Sequence, residues 1–459
     1  MGILTKTMSR RDDAVSDREF TVMSAVFFII AAVVVLLNAE VAGALAFVTA
    51  ICALLIFFSD TSLTLPPFMF LCIFVTRLHD AYDLFIPYVW MAAPVIISVA
   101  FHLIYYRKLS RPLFGKSIYG IVAVAVAVTL GGVGKITAEE YFAPAALYHT
   151  LGLGLGMIPL YVILRACYSR PGSANRIVSA MYLSGFFAAF AVIRFYAADL
   201  SEIISGHSVR FQSSNNLSLF LMLAMPFACL YTLQRSYHFL SLILFYVCIL
   251  LSGSRGGLVM GTTEFFLISL FFLISDKKNR SLYLAAISAA SAALLIFAKK
   301  ILVFYGLLEP GGSFFISIPE ALDALIIRGE ARTGLLERSV SDFLSNPLFG
   351  RGIGYRGNED LYAPVRGAAN WYHMWLPQII GSMGLIGVAA YFFQLLQRIY
   401  LYLRSPSLRN SALFLSYAAL LLMSQVNPGE FCPLPFSMLA VLFFSVIERG
   451  NEAWAQPRI

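Results

Sequence analysis

The stretch FLSLILFYVCILLSGSRGGLVMGTTEFFLISLFFLI, residues 239–274, decides the fold. Two apolar runs flank the short turn SGSRGG, and only Arg255 and Glu264 carry charge across the whole stretch. Each run approaches the ~20 residues that carry a helix across a bilayer. The rest of the chain has the same texture. Of 459 residues, 59% are hydrophobic and 13% charged, about half the charged fraction of a soluble domain. Mean hydropathy is +0.78. A membrane barrel would show short alternating segments instead. The expected fold is therefore an all-α integral membrane protein.

Apolar blocks predict spans at 21–38, 41–58, 65–78, 84–105, 117–134, 144–165, 177–194, 217–234, 237–252, 257–275, 281–298, 374–396, 411–426 and 434–448, about fourteen transmembrane helices. The organisation expected is 1–304 as helices 1–11 with an outer loop at 194–215, 305–373 as one large, partly helical outer loop, and 374–459 as helices 12–14 and a tail. Connections on one side hold 20 of the 33 basic residues. Such a bias marks the cytoplasmic side and places both termini there, with the two large loops outside. A long charged segment precedes the first apolar run, so no cleavable signal peptide is expected. The net charge of +8 follows this sidedness and gives no reason to expect nucleic acid as a partner.

Within the large loop, SIPEALDALI starts like a helix, with Pro319 in its first turn. ARTGLLERSVSDFLS reads as a second helix. There Leu336, Val340, Phe343 and Leu344 form an apolar stripe, and Arg338 and Asp342 take another face. NPLFGRGIGYRG ends it with a proline and four glycines.

Few groups suit enzymatic chemistry. The six histidines form no HxxxH pair, the six cysteines no CxxC pair, and no HExxH or DxD is present, so neither a metal nor any other cofactor is expected. No GxSxG elbow supports serine chemistry. The glycine-rich run at 350–354 lacks the strand–helix setting of a nucleotide loop. Outer-side arginines remain: Arg210, Arg255, Arg332 and Arg338. Arg255 sits among Gly253, Gly256 and Gly257 at the start of an expected helix, where unpaired N–H groups and a planar guanidinium suit phosphate oxygens. The alternative is an interfacial arginine reaching lipid phosphates. His373, in NWYHMWLPQIIGSMGLIG, is either a proton acceptor or an incidental member of an aromatic belt. Glu264, roughly 13 Å along its helix from Arg255, is a lone intramembrane carboxyl, functional or bonded to another span.

The order SGSRGG, then Arg332 fifteen residues ahead of Pro347 in NPLFGRGIG, then a histidine before an apolar segment ending GLIG, resembles the O-antigen ligase and O-antigen polymerase superfamily. The likeness covers about residues 205–395. It implies metal-independent, inverting transfer of a glycan from a polyprenyl-diphosphate-linked donor. It also implies a glycan or lipid A core as acceptor, a periplasmic site in a bacterial inner membrane, and a surface polysaccharide or exopolysaccharide as product. It implies Arg210, Arg255 and Arg332 on the diphosphate and His373 on the acceptor hydroxyl, with Arg255, Arg332 and His373 catalytic; Arg338, the fourth outer-side arginine, is expected to bind the diphosphate with them. Membrane lipids and other polysaccharide-assembly proteins are the implied partners. Here Met374 follows the histidine where the family often has asparagine, a departure towards a polymerase-like branch. The competing readings are a secondary transporter or lipid-linked oligosaccharide flippase, using Arg255 for an anion and Glu264 for a proton, and a non-catalytic assembly protein.

Overall fold

The computed structural model describes residues 15–77, 87–106, 108, 113–168, 172–198, 214–304, 333–355, 371–427, 429–432 and 434–455. Among these residues there is no strand. The α-helices in chain order are α1 (Asp17–Leu36), α2 (Glu40–Phe57), α3 (Leu65–Arg77), α4 (Ala92–Tyr105), α5 (Ser117–Leu130), α6 (Ala138–Tyr141), α7 (Pro144–Leu153), α8 (Met157–Cys167) and α9 (Ser173–Ala198). They continue as α10 (Ser214–Gln234), α11 (Phe239–Leu251), α12 (Arg255–Ser275), α13 (Arg280–Phe304), α14 (333–345), α15 (Trp375–Arg404), α16 (Leu408–Ser424) and α17 (Leu434–Ala455).

Each of the fourteen apolar segments falls on one of these helices, the sixth on the pair α7–α8, which bends by 45°. Seven described helices are long and apolar enough to cross a bilayer, or eight if that bent pair makes one span. Helices α5, α11 and α16 are apolar but shorter. The protein is thus an all-α membrane-type bundle.

Helix α10 is its axis. Leu217 through Met225 are all buried, because α9, α11, α12 and α16 pack around it. A helix apolar on every face is stable only when surrounded in this way. A smaller core cluster, built from Val124, Val128, Ile379, Met383, Tyr391 and Phe431, joins α5 to α15.

Helix α15 departs from the expected single span at 374–396. Gly384 takes φ 60°, ψ −152° and breaks it. Trp375 lies 6.2 Å from Tyr391 and 5.5 Å from Phe392, ring centroid to ring centroid. A Cβ on Gly387 would stand 3.1 Å from Ile379. In a straight helix Trp375 and Tyr391 would be roughly 24 Å apart, so residues 375–383 fold back along the following half as a helical hairpin.

The NPLFGRG segment seals the break. Leu385 N–H donates to the Pro347 carbonyl (2.9 Å) and Ile386 N–H to Leu348 (3.3 Å). In return, Arg351 N–H donates to Gly381 (2.8 Å) and Gly352 N–H to Ser382 (2.9 Å). Amides and carbonyls left open by the broken helix are therefore paired, as a membrane interior demands. A Cβ on Gly384 would lie 2.5 Å from the Pro347 carbonyl oxygen. Gly384→Ala is expected to lose about 1–3 kcal/mol for a backbone conformation that is essentially confined to glycine, before the clash. Melting in detergent should fall, and the Leu385 and Ile386 amides should exchange faster. Unchanged melting and exchange would refute the clasp.

The helix expected over ARTGLLERSVSDFLS is α14. Leu335, Ser339 and Asp342 face inward, and Leu336, Val340 and Leu344 face outward. The Ser339 hydroxyl donates to the Pro377 carbonyl (2.8 Å), so polar anchoring to the hairpin sets the face. Pro319 and the SIPEALDALI segment lie outside the described residues.

Candidate functional site

Arg255 is the first residue of α12, as its glycine-flanked turn predicts, and is half-buried. The Ser254 hydroxyl caps the helix by accepting from Gly257 N–H (3.0 Å) and donates to Asn215 Oδ1 (2.6 Å). The glycines allow close approach. A Cβ on Gly257 would sit 1.7 Å from Ser218 Oγ, and one on Gly256 would sit 2.9 Å from Met423 and Val426 side-chain carbons. The α12 N-terminus is thereby wedged between the start of α10 and the end of α16.

His373 lies just before the re-entrant half of α15, at φ 54°, a backbone region costing a non-glycine residue about 1–3 kcal/mol. Its neighbours hold it there. Tyr372 N–H donates to Gln378 Oε1 (2.9 Å), and the Tyr372 hydroxyl donates to Asp342 Oδ2 (2.8 Å). Trp375 Nε1 donates to Glu430 Oε2 (2.6 Å). Nine residues of returning helix carry Trp375 about 12 Å from the break into the bundle. Trp371 packs against a buried second histidine, His149 on α7, with centroids 4.9 Å apart.

Arg338 joins the same corner through Asp342. Its Nε donates to Asp342 Oδ2 (3.2 Å) and its Nη2 to the Tyr355 hydroxyl (2.6 Å). Burial works against its charge, but Asp342 and Tyr355 outweigh this and raise its pKa above the usual arginine value. Arg351 lies across the carboxylate, with Nε 3.9 Å from Asp342 Oδ1 and its guanidinium 4.1 Å above the Tyr355 ring. The Arg351 Nε is buried without a hydrogen-bond partner. Two guanidinium groups thus share one carboxylate beside Tyr372–His373 among the described residues.

Below this corner, Glu430 joins three elements. It accepts from Trp375, from Arg398 Nη1 (2.9 Å) and from the Tyr417 hydroxyl (3.4 Å). Arg398, assigned by its position in the sequence to a cytoplasmic connection, is buried inside α15, because the span begins only after Gly384 and runs on to Arg404. A cavity of about 30 Å³, lined in part by Gln394, Arg398, Glu430 and Ser437, adjoins the pair. That is room for one or two waters.

Of the candidates, Arg338 and His373 meet at Asp342–Tyr372. Arg255 adjoins the end of α16 through Gly256, which touches Met423 and Val426, and Trp375 bonds to Glu430 a few residues further along the chain. Glu264 is separate, two turns along α12, with Oε2 buried and unpaired. Arg210 and Arg332 lie outside the described residues. The sequence pattern marks Asp342 only as one residue of a helix face and does not single out Arg351, Glu430 or His149. Arg351 lies in the GRGIG run set aside as a nucleotide loop, and its charge between close glycines was the available signal.

Among the described residues, no three His, Cys, Asp or Glu side chains gather as metal ligands. Compared with protein-family models, curated proteins and solved structures, the chain matches none of them.

Proposed function

We propose that the protein is a membrane glycosyltransferase of the O-antigen ligase or polymerase type, acting on a polyprenyl-diphosphate-linked glycan at the periplasmic face of a bacterial inner membrane. The observation that carries this reading is the corner where Arg338 and Arg351 share Asp342 and Tyr372 adjoins His373. Two guanidinium groups beside a histidine whose backbone is anchored suit a reaction that builds negative charge on a leaving diphosphate.

In this reading an acceptor hydroxyl attacks the anomeric carbon of the donor glycan. The bond from that carbon to the diphosphate oxygen breaks, and its electron pair leaves with the phosphate. His373 takes the hydroxyl proton. Arg255 grips the departing phosphate from the α12 N-terminus, together with Arg210 and Arg332. Arg338 and Arg351 add positive potential and fix Tyr372, and so the His373 backbone. A single displacement inverts the anomeric centre.

The test is reconstitution with a polyprenyl-diphosphate-linked repeat unit in the presence of chelator, with and without lipid A core. Polyprenyl diphosphate release matched by new, inverted glycosidic bonds is expected. A product ladder without core indicates polymerisation, and one product requiring core indicates ligation. Donor left intact under both conditions would overturn the proposal. The unpaired Glu264 carboxyl favours a second reading, proton-coupled transport of a lipid-linked or anionic solute. Its mark is solute counterflow in liposomes without glycan product, abolished by Glu264→Gln.

A further inference from the structure

We infer that α14 lies in the plane of the membrane interface, with its leucine row in the hydrocarbon edge. The inference goes beyond the transferase reading and stands without it. Three rows of side chains point to it. The inward row, Leu335, Ser339 and Asp342, is largely polar and bonded to the hairpin and Tyr372. One outward row is apolar: Leu336, Val340 and Leu344 are 43, 41 and 68% exposed. The adjacent outward row, Glu337, Ser341 and Ser345, is exposed and polar.

A helix bathed in water would turn its leucines inward and its serine and aspartate outward. The polarity of α14 is the opposite on one side and ordinary on the neighbouring side, about 100° away around the helix. Only a boundary between hydrocarbon and water satisfies both outward rows at once.

Continuity with the bundle fixes the occupant as lipid. The apolar row runs on through Leu348, 50% exposed, which is held on the second half of α15 by the Ile386 amide. There it meets Leu385, 52% exposed, at the head of an outward stripe that continues through Phe392 and Leu396 along a helix apolar enough to span. The Asp342–Arg338–Arg351 corner on the inner side of α14 is thereby set at the depth of lipid headgroups. An anionic group carried on a lipid reaches it without leaving the membrane.

Cysteines placed singly at Val340, Ser341, Leu344 and Ser345 in the full chain, reconstituted in nanodiscs, test this. Corrected for the native thiols, Val340→Cys and Leu344→Cys should react with a water-soluble maleimide at least about tenfold more slowly than Ser341→Cys and Ser345→Cys, since the reactive thiolate is disfavoured in hydrocarbon. A bimane fluorophore at 340 or 344 should be quenched by acyl-chain-brominated lipid, and one at 341 or 345 by aqueous iodide. Equal maleimide rates at the four positions would overturn the inference. So would slow reaction at 340 and 344 without bromolipid quenching, which would show protein covering the row, whether a second copy or an assembly partner. Neither readout requires transfer activity, so its failure is distinguishable from failure of the proposed function.

Discussion

Replacing Arg255 by alanine is expected to lower the proposed glycan transfer by about 10²–10³-fold, the loss that follows removal of one preorganised donor to developing negative charge. The magnitude rests on how the residue is held. Its backbone is fixed by the Ser254 cap, by the Ser254–Asn215 bond and by glycines that let α12 close against α10 and α16. A donor whose backbone is already anchored needs less reorganisation when charge appears. The first-turn amides of α12 point out of the helix start, the Gly257 amide onto the Ser254 cap, and the helix dipole adds to the guanidinium. Arg255→Lys should recover part of the rate, keeping the charge but losing the two-pronged geometry. Arg404→Ala, at an exposed position bonded to Tyr400 at the far end of α15, should leave turnover unchanged. The measurement is turnover under saturating donor, with the folded state of each variant checked by its melting. Wild-type turnover in Arg255→Ala would remove the electrostatic basis of the reaction.

The apolar blocks made the helices legible, because a chain that must pair every backbone amide away from water has few other options. The α12 start was legible too, from serine and glycine around Arg255. The hairpin in α15 was not. QIIGSMGLIGV is apolar throughout, and hydropathy reports where a segment can dissolve, not whether it turns back. The turn at Gly384 depends on NPLFGRG, more than thirty residues away, supplying carbonyls and amides to the gap. That pairing also explains why a glycine run dismissed as a nucleotide loop matters. Helix α14 was legible from its own pattern, but which face turns inward was not, because bonds to the hairpin and to Tyr372 set it. The Arg338–Asp342–Arg351 corner is tertiary throughout: Asp342 and Arg338 are four apart on one helix, whereas Tyr372 arrives from beyond a long connection.

The largest loss of stability is expected from Glu430→Ala. The carboxylate and the Arg398 guanidinium are 6 and 8% exposed and 2.9 Å apart, and the same carboxylate receives the Trp375 indole. Deleting it strands a guanidinium in the bundle and unties the re-entrant helix in one step. Breaking a buried pair from one side typically destabilises by about 3–5 kcal/mol. The penalty belongs mainly to the abandoned charge, so it should be largely reversible. Glu430→Leu combined with Arg398→Met replaces both partners by apolar groups and should recover most of the loss. The Trp375 N–H would remain unpaired, leaving about 1–3 kcal/mol. Glu430→Gln should fall between the extremes, retaining an acceptor for Trp375 while the guanidinium stays uncompensated. Melting of the four proteins in one detergent measures the cycle. If the double variant melts no higher than Glu430→Ala, the stranded charge is not the cause. The loss would then belong to the Trp375 tether, and the hairpin, rather than the ion pair, would govern the stability of this end of the bundle.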